Sequence, residues 1–246
     1  MTHSVDVDGA VLTKRYTSWS RDEPGREWTA LTLLARTTSD LVPTPLTRSD
    51  QQLTMTVIPG EPLSGALTGA ELTAIGDALD TLWSVPPTDL LPIDLGAVVE
   101  RTRTGLAVLR NGDGVVADAA RTWLDGDQPD LTEVQHPVVA HGDPNLANYL
   151  WDGTRVRIVD FEDAGRGDRT VELANLVEHL AGRETDLSPV VRRFAVDEGR
   201  FRAARSLWAA FWLTLVGPGG PSEKRNPPGA AEAQAQRVLR LTAGSL

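Results

Sequence analysis

The amino-acid sequence predicts an α+β fold of two unequal lobes, a small strand-rich one over residues 1–58 and a larger, mostly helical one over 59–246. Three observations predict it. Residues 1–58 carry period-two alternation and hairpin punctuation around a single helix. Pro59-Gly60 then breaks the chain at the end of a strand and marks a hinge. Beyond Thr68, apolar residues recur at three- and four-residue spacing, the period of a helix face. Unequal lobes leave a cleft between them, where ligands are held.

Each element has its own signal. Val5 and Val7 alternate with polar residues, Asp8-Gly9 is a two-residue turn, and Val11-Leu12 begins the return strand, so 5–16 reads as a hairpin. Pro24 opens a helix on which Trp28, Leu31 and Leu34 share a face. Residues 53–58 form the next strand. Thr68 with Glu71 is a capping box, and Leu72, Ile75, Leu79 and Leu82 line the helix that follows. Pro86-Pro87 interrupts, and weaker helical patterns run over 95–123. Pro137–Ala140 is a short apolar strand leading into His141-Gly142-Asp143. Tyr149–Trp151 and 156–159 flank a turn containing Asp152-Gly153. Helices are expected over 171–180 and 201–216, and a last short one ends near Leu241.

Composition removes several classes of function. The chain has 246 residues, 41% hydrophobic and 24% charged, as in ordinary globular proteins. Its longest apolar run, 207–216, is ten residues, against the ~20 that a bilayer requires. The N-terminus carries no basic patch followed by an apolar stretch, so a secretory signal is not expected and a cytoplasmic location is. Absence of cysteine excludes disulfides, thiolate catalysis and cysteine-ligated metals. A net charge of -10 argues against a nucleic-acid surface and would draw a cationic small molecule at long range. Only Lys14 and Lys224 are lysines among 24 basic residues, which singles out any lysine near a chemical site.

The chemistry is concentrated between His141 and Asp163. A four-residue loop over 152–155 sets Trp151 opposite Val156 and Asn148 opposite Val159, which puts Asn148 beside Asp160, close enough to share an ion. A two-residue loop would instead set Asn148 opposite Arg157, ~10 Å away along the strand at ~3.3 Å per residue. The wider loop is expected. An amide oxygen next to a carboxylate suits Mg²⁺, a hard cation that keeps several waters and takes few protein ligands alongside phosphates. Asp143, in a loop stiffened by Pro144, could accept the proton of an attacking hydroxyl. One acid–base carboxylate with an Asn/Asp metal pair is the pattern of phosphoryl transfer.

With these residues the sequence resembles the aminoglycoside phosphotransferase and choline kinase-like small-molecule kinases, which share the protein-kinase fold. The match is to their His-Gly-Asp-x-x-x-x-Asn motif and their Asp-Phe/Trp-x-Asp segment. The resemblance implies Asp143 as catalytic base, Asn148 and Asp160 as Mg²⁺ ligands, and ATP or GTP as co-substrate. It further implies that Lys14 binds phosphate and pairs with Glu27. The segment 55–63 would be the adenine-contacting hinge, Thr56 and Ile58 offering backbone groups, and Gly167-Asp168 would brace the catalytic loop. A small, cationic hydroxyl-bearing acceptor such as an aminoglycoside would follow. The similarity spans most of 10–216 and is specific at 141–163. Two departures stand out. Thirteen residues precede Lys14, where the family has a further strand and a nucleotide-covering loop, and no glycine-rich loop is present; either the start lies further upstream or the lobe is reduced. Asn145 stands where aminoglycoside enzymes often carry His.

Plainer roles compete at several positions. His141 reads as structural, bonding the loop backbone, and Asp168 as an ordinary helix cap. Glu162 and Asp163 are open between a solvated acidic run and a second ion site. Trp208, Phe211 and Trp212 read as core. Glu178 and His179 could line a polar pocket, but solvent exposure ranks ahead. At the level of the whole protein, the alternatives are a pseudokinase-like binding protein and a metal-dependent phosphoesterase. Four histidines and no second His-rich motif count against the last.

Overall fold

The computed structural model describes residues 3–17 and 21–243. The first portion is a four-stranded antiparallel sheet in the order β1-β2-β4-β3, made of β1 (Ser4–Asp8), β2 (Val11–Arg15), β3 (Pro45–Arg48) and β4 (Gln52–Thr56), with α1 (Glu23–Ala35) between β2 and β3. The hairpin closes with Asp8 opposite Val11, and β2 continues against β4 with Lys14 opposite Leu53. Pro24 sits in the first turn of α1, where its missing N–H costs nothing. Ala30, Leu31 and Leu34 of α1 are fully buried, in one core with Leu53 and Met55 of β4. The strand β3 has no clear sequence signal because prolines surround it. Pro45 is tolerated as the first residue of an edge strand, where no ladder donor is required.

The remainder is mostly helical. After β5 (Glu61–Pro62) come α2 (Gly69–Ser84), α3 (Leu95–Leu109), α4 (Gly114–Asp125), β6 (Pro137–Ala140), β7 (Tyr149–Trp151), β8 (Val156–Ile158), β9 (Gly165–Asp168), α5 (Arg169–Glu178), α6 (Ser188–Val191), α7 (Glu198–Val216) and α8 (Ala230–Thr242). The capping box of α2 forms as expected. Thr68 Oγ1 accepts the Glu71 N–H at 3.3 Å, and Glu71 Oε2 accepts the Thr68 N–H at 2.7 Å. A second core joins α3, α4, α5, α7 and α8 around Leu106, Trp123, Ala174 and Leu213. Among the described residues no helix is long and apolar enough to cross a membrane.

Two small antiparallel ladders sit between the sheet and the helices, β5-β7-β8 and β6-β9. The loop over 152–155 is the wide one: Trp151 faces Val156, Tyr149 faces Ile158, and the Val159 N–H donates to the Asn148 carbonyl at 3.0 Å. Consequently β6 delivers the chain to His141, β7 and β8 carry it from Asn148 round to Asp160, and β9 returns beside β6.

Candidate active site

The loop that begins at His141 is held by its own backbone groups. Gly142 has φ +83°, and a β-carbon there would lie 2.3 Å from the Asp163 carbonyl oxygen, so glycine is the residue that fits. The His141 ring donates from Nε2 to the Val159 carbonyl at 2.8 Å and accepts the Asp143 N–H on Nδ1 at 3.3 Å, a pair of bonds that fixes its tautomer. Glu172, buried on α5, accepts the N–H groups of His141 and Gly142 on one oxygen at 2.6 and 3.2 Å. Burial pushes the Glu172 carboxyl up from its ordinary value despite these bonds and the nearby His141. Asn175, one turn on, donates to the Gly142 carbonyl at 3.3 Å.

Asp143 follows. Its Oδ1 accepts from His179 Nε2 at 3.1 Å, and its side chain is 40% exposed. Burial pushes its carboxyl up, but the His179 hydrogen bond, with the further pull of His141 and Arg21, outweighs that and holds it below the usual range. Asn148 donates its amide nitrogen to the Asp143 carbonyl at 3.0 Å, which leaves the amide oxygen as its donor atom toward a ligand.

Lys14, on β2, is buried with its Nζ 2.7 Å from Glu27 Oε2, 2.7 Å from Glu162 Oε2, and in contact with Asp160 Oδ1. Burial pulls its ammonium down, yet these three carboxylates raise it above its ordinary value, so it stays charged. Tyr16 donates its hydroxyl to the same Glu27 oxygen, while the other Glu27 oxygen accepts the Phe161 N–H at 3.2 Å. Oxygens of Glu27, Asp160 and Glu162 lie within 4.8 Å of one another, but the Lys14 ammonium already occupies their midst. Asp160 has φ +69°, a left-handed conformation that costs a non-glycine residue ~1–3 kcal/mol and concentrates at functional sites. Asp160 has 40% of its side chain exposed and one oxygen toward Lys14, and it follows Val159, whose N–H meets the Asn148 main-chain carbonyl. Two hard oxygen donors fit Mg²⁺.

The strand β4 ends at Thr56. Its N–H is taken by the Thr44 carbonyl at 2.9 Å, and the Thr44 N–H goes to the Thr56 hydroxyl at 2.9 Å, which leaves the Thr56 carbonyl unclaimed by that neighbour. Val57 donates to Ala10 at 2.9 Å. Ile58 follows outside any strand.

Residues 4–211 match the family described as APH, phosphotransferase enzyme family. The chain belongs to the phosphotransferase enzyme family. Solved structures with the same fold include APH(2")-IIia in complex with GDP and kanamycin, at a TM-score of 0.71 with 17% identity, covering 100% of this chain and 91% of the other. A choline/ethanolamine kinase family protein from Mesorhizobium loti aligns at 0.65 and 18% identity, over 99% and 85%. Macrolide 2'-phosphotransferase MphH from Brachybacterium faecium aligns at 0.63 and 16%, over 97% and 89%. A search of curated proteins finds no match. The fold is thus that of the kinase-like phosphotransferases, a small antiparallel sheet region with a larger helical portion, and the protein is a small-molecule phosphotransferase.

The phosphotransferase brings Lys14, Glu27 and Asp160 together, and places Asp143 and Asn148 on one loop. Several expectations change. Glu178 and His179 are not solvent-exposed: they are 1% and 5% exposed, Glu178 clasped by Arg205 and Arg237 and His179 by Asp143. Helix α5 ends against α7, so its terminal polar residues turn inward. Glu162 and Asp163 are no solvated run, since Glu162 meets Lys14 and His3 (2.9 Å) and Asp163 meets Arg21. Asp168 caps α5 through the N–H groups of Thr170 and Val171 and also holds those of Gln135 and His136 at 2.8 and 3.0 Å. The direct brace of the catalytic loop is Glu172 instead. Tyr16 and Glu172 carry no local signal; a helical carboxylate four residues past a cap is common, and nothing in the neighbouring sequence marks it as buried.

Proposed function

We propose that this phosphotransferase moves the γ-phosphoryl group of ATP or GTP, bound with Mg²⁺, to a hydroxyl of a small molecule, with Asp143 accepting the hydroxyl proton. The observation that supports it most is the Asp143 carboxylate, fixed on the loop that also carries Asn148, one hairpin away from an Asp160 in contact with Lys14. In this reading residues 1–58 form the nucleotide lobe and 59–246 the catalytic and acceptor lobe. Lys14, kept charged and aimed by Glu27, neutralises phosphate oxygens. The Thr56 carbonyl and the Ile58 backbone meet the purine edge. Asn148 and Asp160 would hold Mg²⁺, which when bound neutralises charge on the transferring phosphate. Asp143 orients and deprotonates the attacking hydroxyl; its depressed pKa keeps it ionised at neutral pH. A cytoplasmic setting, with its nucleoside triphosphates, belongs to the same proposal.

A cationic acceptor such as an aminoglycoside is the more specific form, supported by the net charge of -10 and by neighbours solved with kanamycin or gentamicin. One observation favours a second form. Glu178, next in sequence to the His179 that touches Asp143, is already neutralised by Arg205 and Arg237, which favours an acceptor with a neutral or acidic group. Phosphate transfer from magnesium-ATP or magnesium-GTP to a panel of aminoglycosides, amino alcohols and sugar acids separates the two. Asp143→Asn is expected to keep nucleotide-induced thermal stabilisation and to lose turnover by roughly 10²–10⁴-fold. Asp160→Asn is expected to weaken magnesium-nucleotide binding itself. Normal turnover by Asp143→Asn would rule out the base. Nucleotide binding without transfer to any acceptor would favour a pseudokinase-like protein, a reading opposed by the joint presence of Asp143, Asn148 and Asp160.

A further inference from the structure

We propose that His179 is a positioning residue that sets the orientation of the Asp143 carboxylate. The inference rests on the reading of Asp143 as base. His179 follows the last residue of α5 and is 5% exposed, with its ring edge-on to Trp212 at 4.5 Å between centroids. Its two nitrogens have separate tasks. Nδ1 accepts the Ala181 N–H at 3.2 Å, capping the short turn over 180–182, and this leaves the ring proton on Nε2. Nε2 donates that proton to Asp143 Oδ1 at 3.1 Å. Asp143 Oδ2 accepts no hydrogen bond from the described residues.

The consequence follows from rotamer physics. The terminal torsion of an aspartate is broad and roughly two-fold, so an untethered carboxylate spends much of its time turned away from any one line of attack. A single donor on Oδ1, itself locked by Trp212 and by the Ala181 N–H, removes that freedom and presents Oδ2 to the acceptor hydroxyl. A neutral imidazole holds the carboxylate without cancelling its charge, as an arginine would. Because Nδ1 is committed as an acceptor, His179 does not pass the proton onward; it aims the base and takes no part in the transfer.

The two tasks can be separated by substitution. An asparagine places its polar atoms near the Nδ1 position and can keep the turn, whereas a glutamine reaches the Nε2 position and can keep the bond to Asp143. His179→Asn is expected to melt close to the parent protein, to keep its KM for magnesium-ATP, and to lose kcat by roughly tenfold to a hundredfold. Turnover is read as ADP formation from magnesium-ATP, with water and kanamycin as probe acceptors. His179→Gln is expected to restore most of that kcat. Imidazole NMR of the folded protein gives a readout independent of any acceptor: a neutral Nε2–H ring whose proton signal moves in Asp143→Asn. An Nδ1–H tautomer, a signal indifferent to Asp143→Asn, or a His179→Asn enzyme with parental kcat would each overturn the inference. Normal turnover in Asp143→Asn alone would overturn the base reading instead, so the two failures are told apart.

Discussion

Lys14 shows how much one side chain can carry. It is 6% exposed and stands among Glu27, Asp160 and Glu162, so removing its charge leaves carboxylates buried without a counter-ion. Breaking such a pair costs ~3–5 kcal/mol, more than the pair contributes when intact. Lys14→Met is therefore expected to lower unfolding stability in urea by about that amount as well as to abolish turnover. A variant that is inactive but as stable as the parent would mean the ammonium serves phosphate binding alone. The Lys14–Glu27 pair was legible in the sequence because lysine is rare here and the motif order places a helical glutamate after it. Tyr16 and His179 were not legible. Their partners lie 11 and 36 residues away, and only the packing of β2 on α1 and of α5 on α7 turns them toward those partners.

Elements were read best where local chemistry decides them. Pro24 in the first turn of α1, the Thr68 box and the loop over 152–155 each depend on neighbours within a few residues, and each formed as expected, while the first hairpin turns one residue later than Asp8-Gly9, at Gly9-Ala10 between the paired Asp8 and Val11. Strand β3 was missed because its pairing with β4, not its composition, makes it a strand. At this scale Asp168 carries a pH prediction. Burial pushes its carboxyl up, but the N–H groups of His136 and Gln135 and the charge of Arg200 hold it below its ordinary value. A carboxyl depressed in the folded state stabilises fully above its unfolded pKa of ~3.9 and loses that contribution as pH falls through the folded value. Asp168→Asn, which weakens the link from α5 to the segment before β6, is expected to cost ~1–3 kcal/mol at pH 7. The gap to the parent should narrow steadily below pH ~4, in urea melts taken across that range. A gap that stays constant into acid would show that the charge of Asp168 is irrelevant to it.

For the molecule as a whole, the division into a sheet region and a helical portion was legible in the sequence, because the change from period two to period 3.6 is a property of long stretches. It could not show how the candidate site is suspended between them. Glu172 on α5 grips the main chain of His141 and Gly142, and His179 just past the same helix grips the carboxylate of Asp143. Lys14 and Glu27, by contrast, belong to the sheet region and reach the helical portion through Asp160, Phe161 and Glu162. Asp143 and Lys14 thus hang on different parts of the fold, the one tied to α5 and the other to β2 and α1. Breathing of the protein would stretch the Lys14 contacts while Asp143 stays in step with α5. Amide hydrogen exchange is the direct gauge of this: the N–H groups of His141 and Gly142 should open at the same rate as the core of α5, and Phe161 should open sooner.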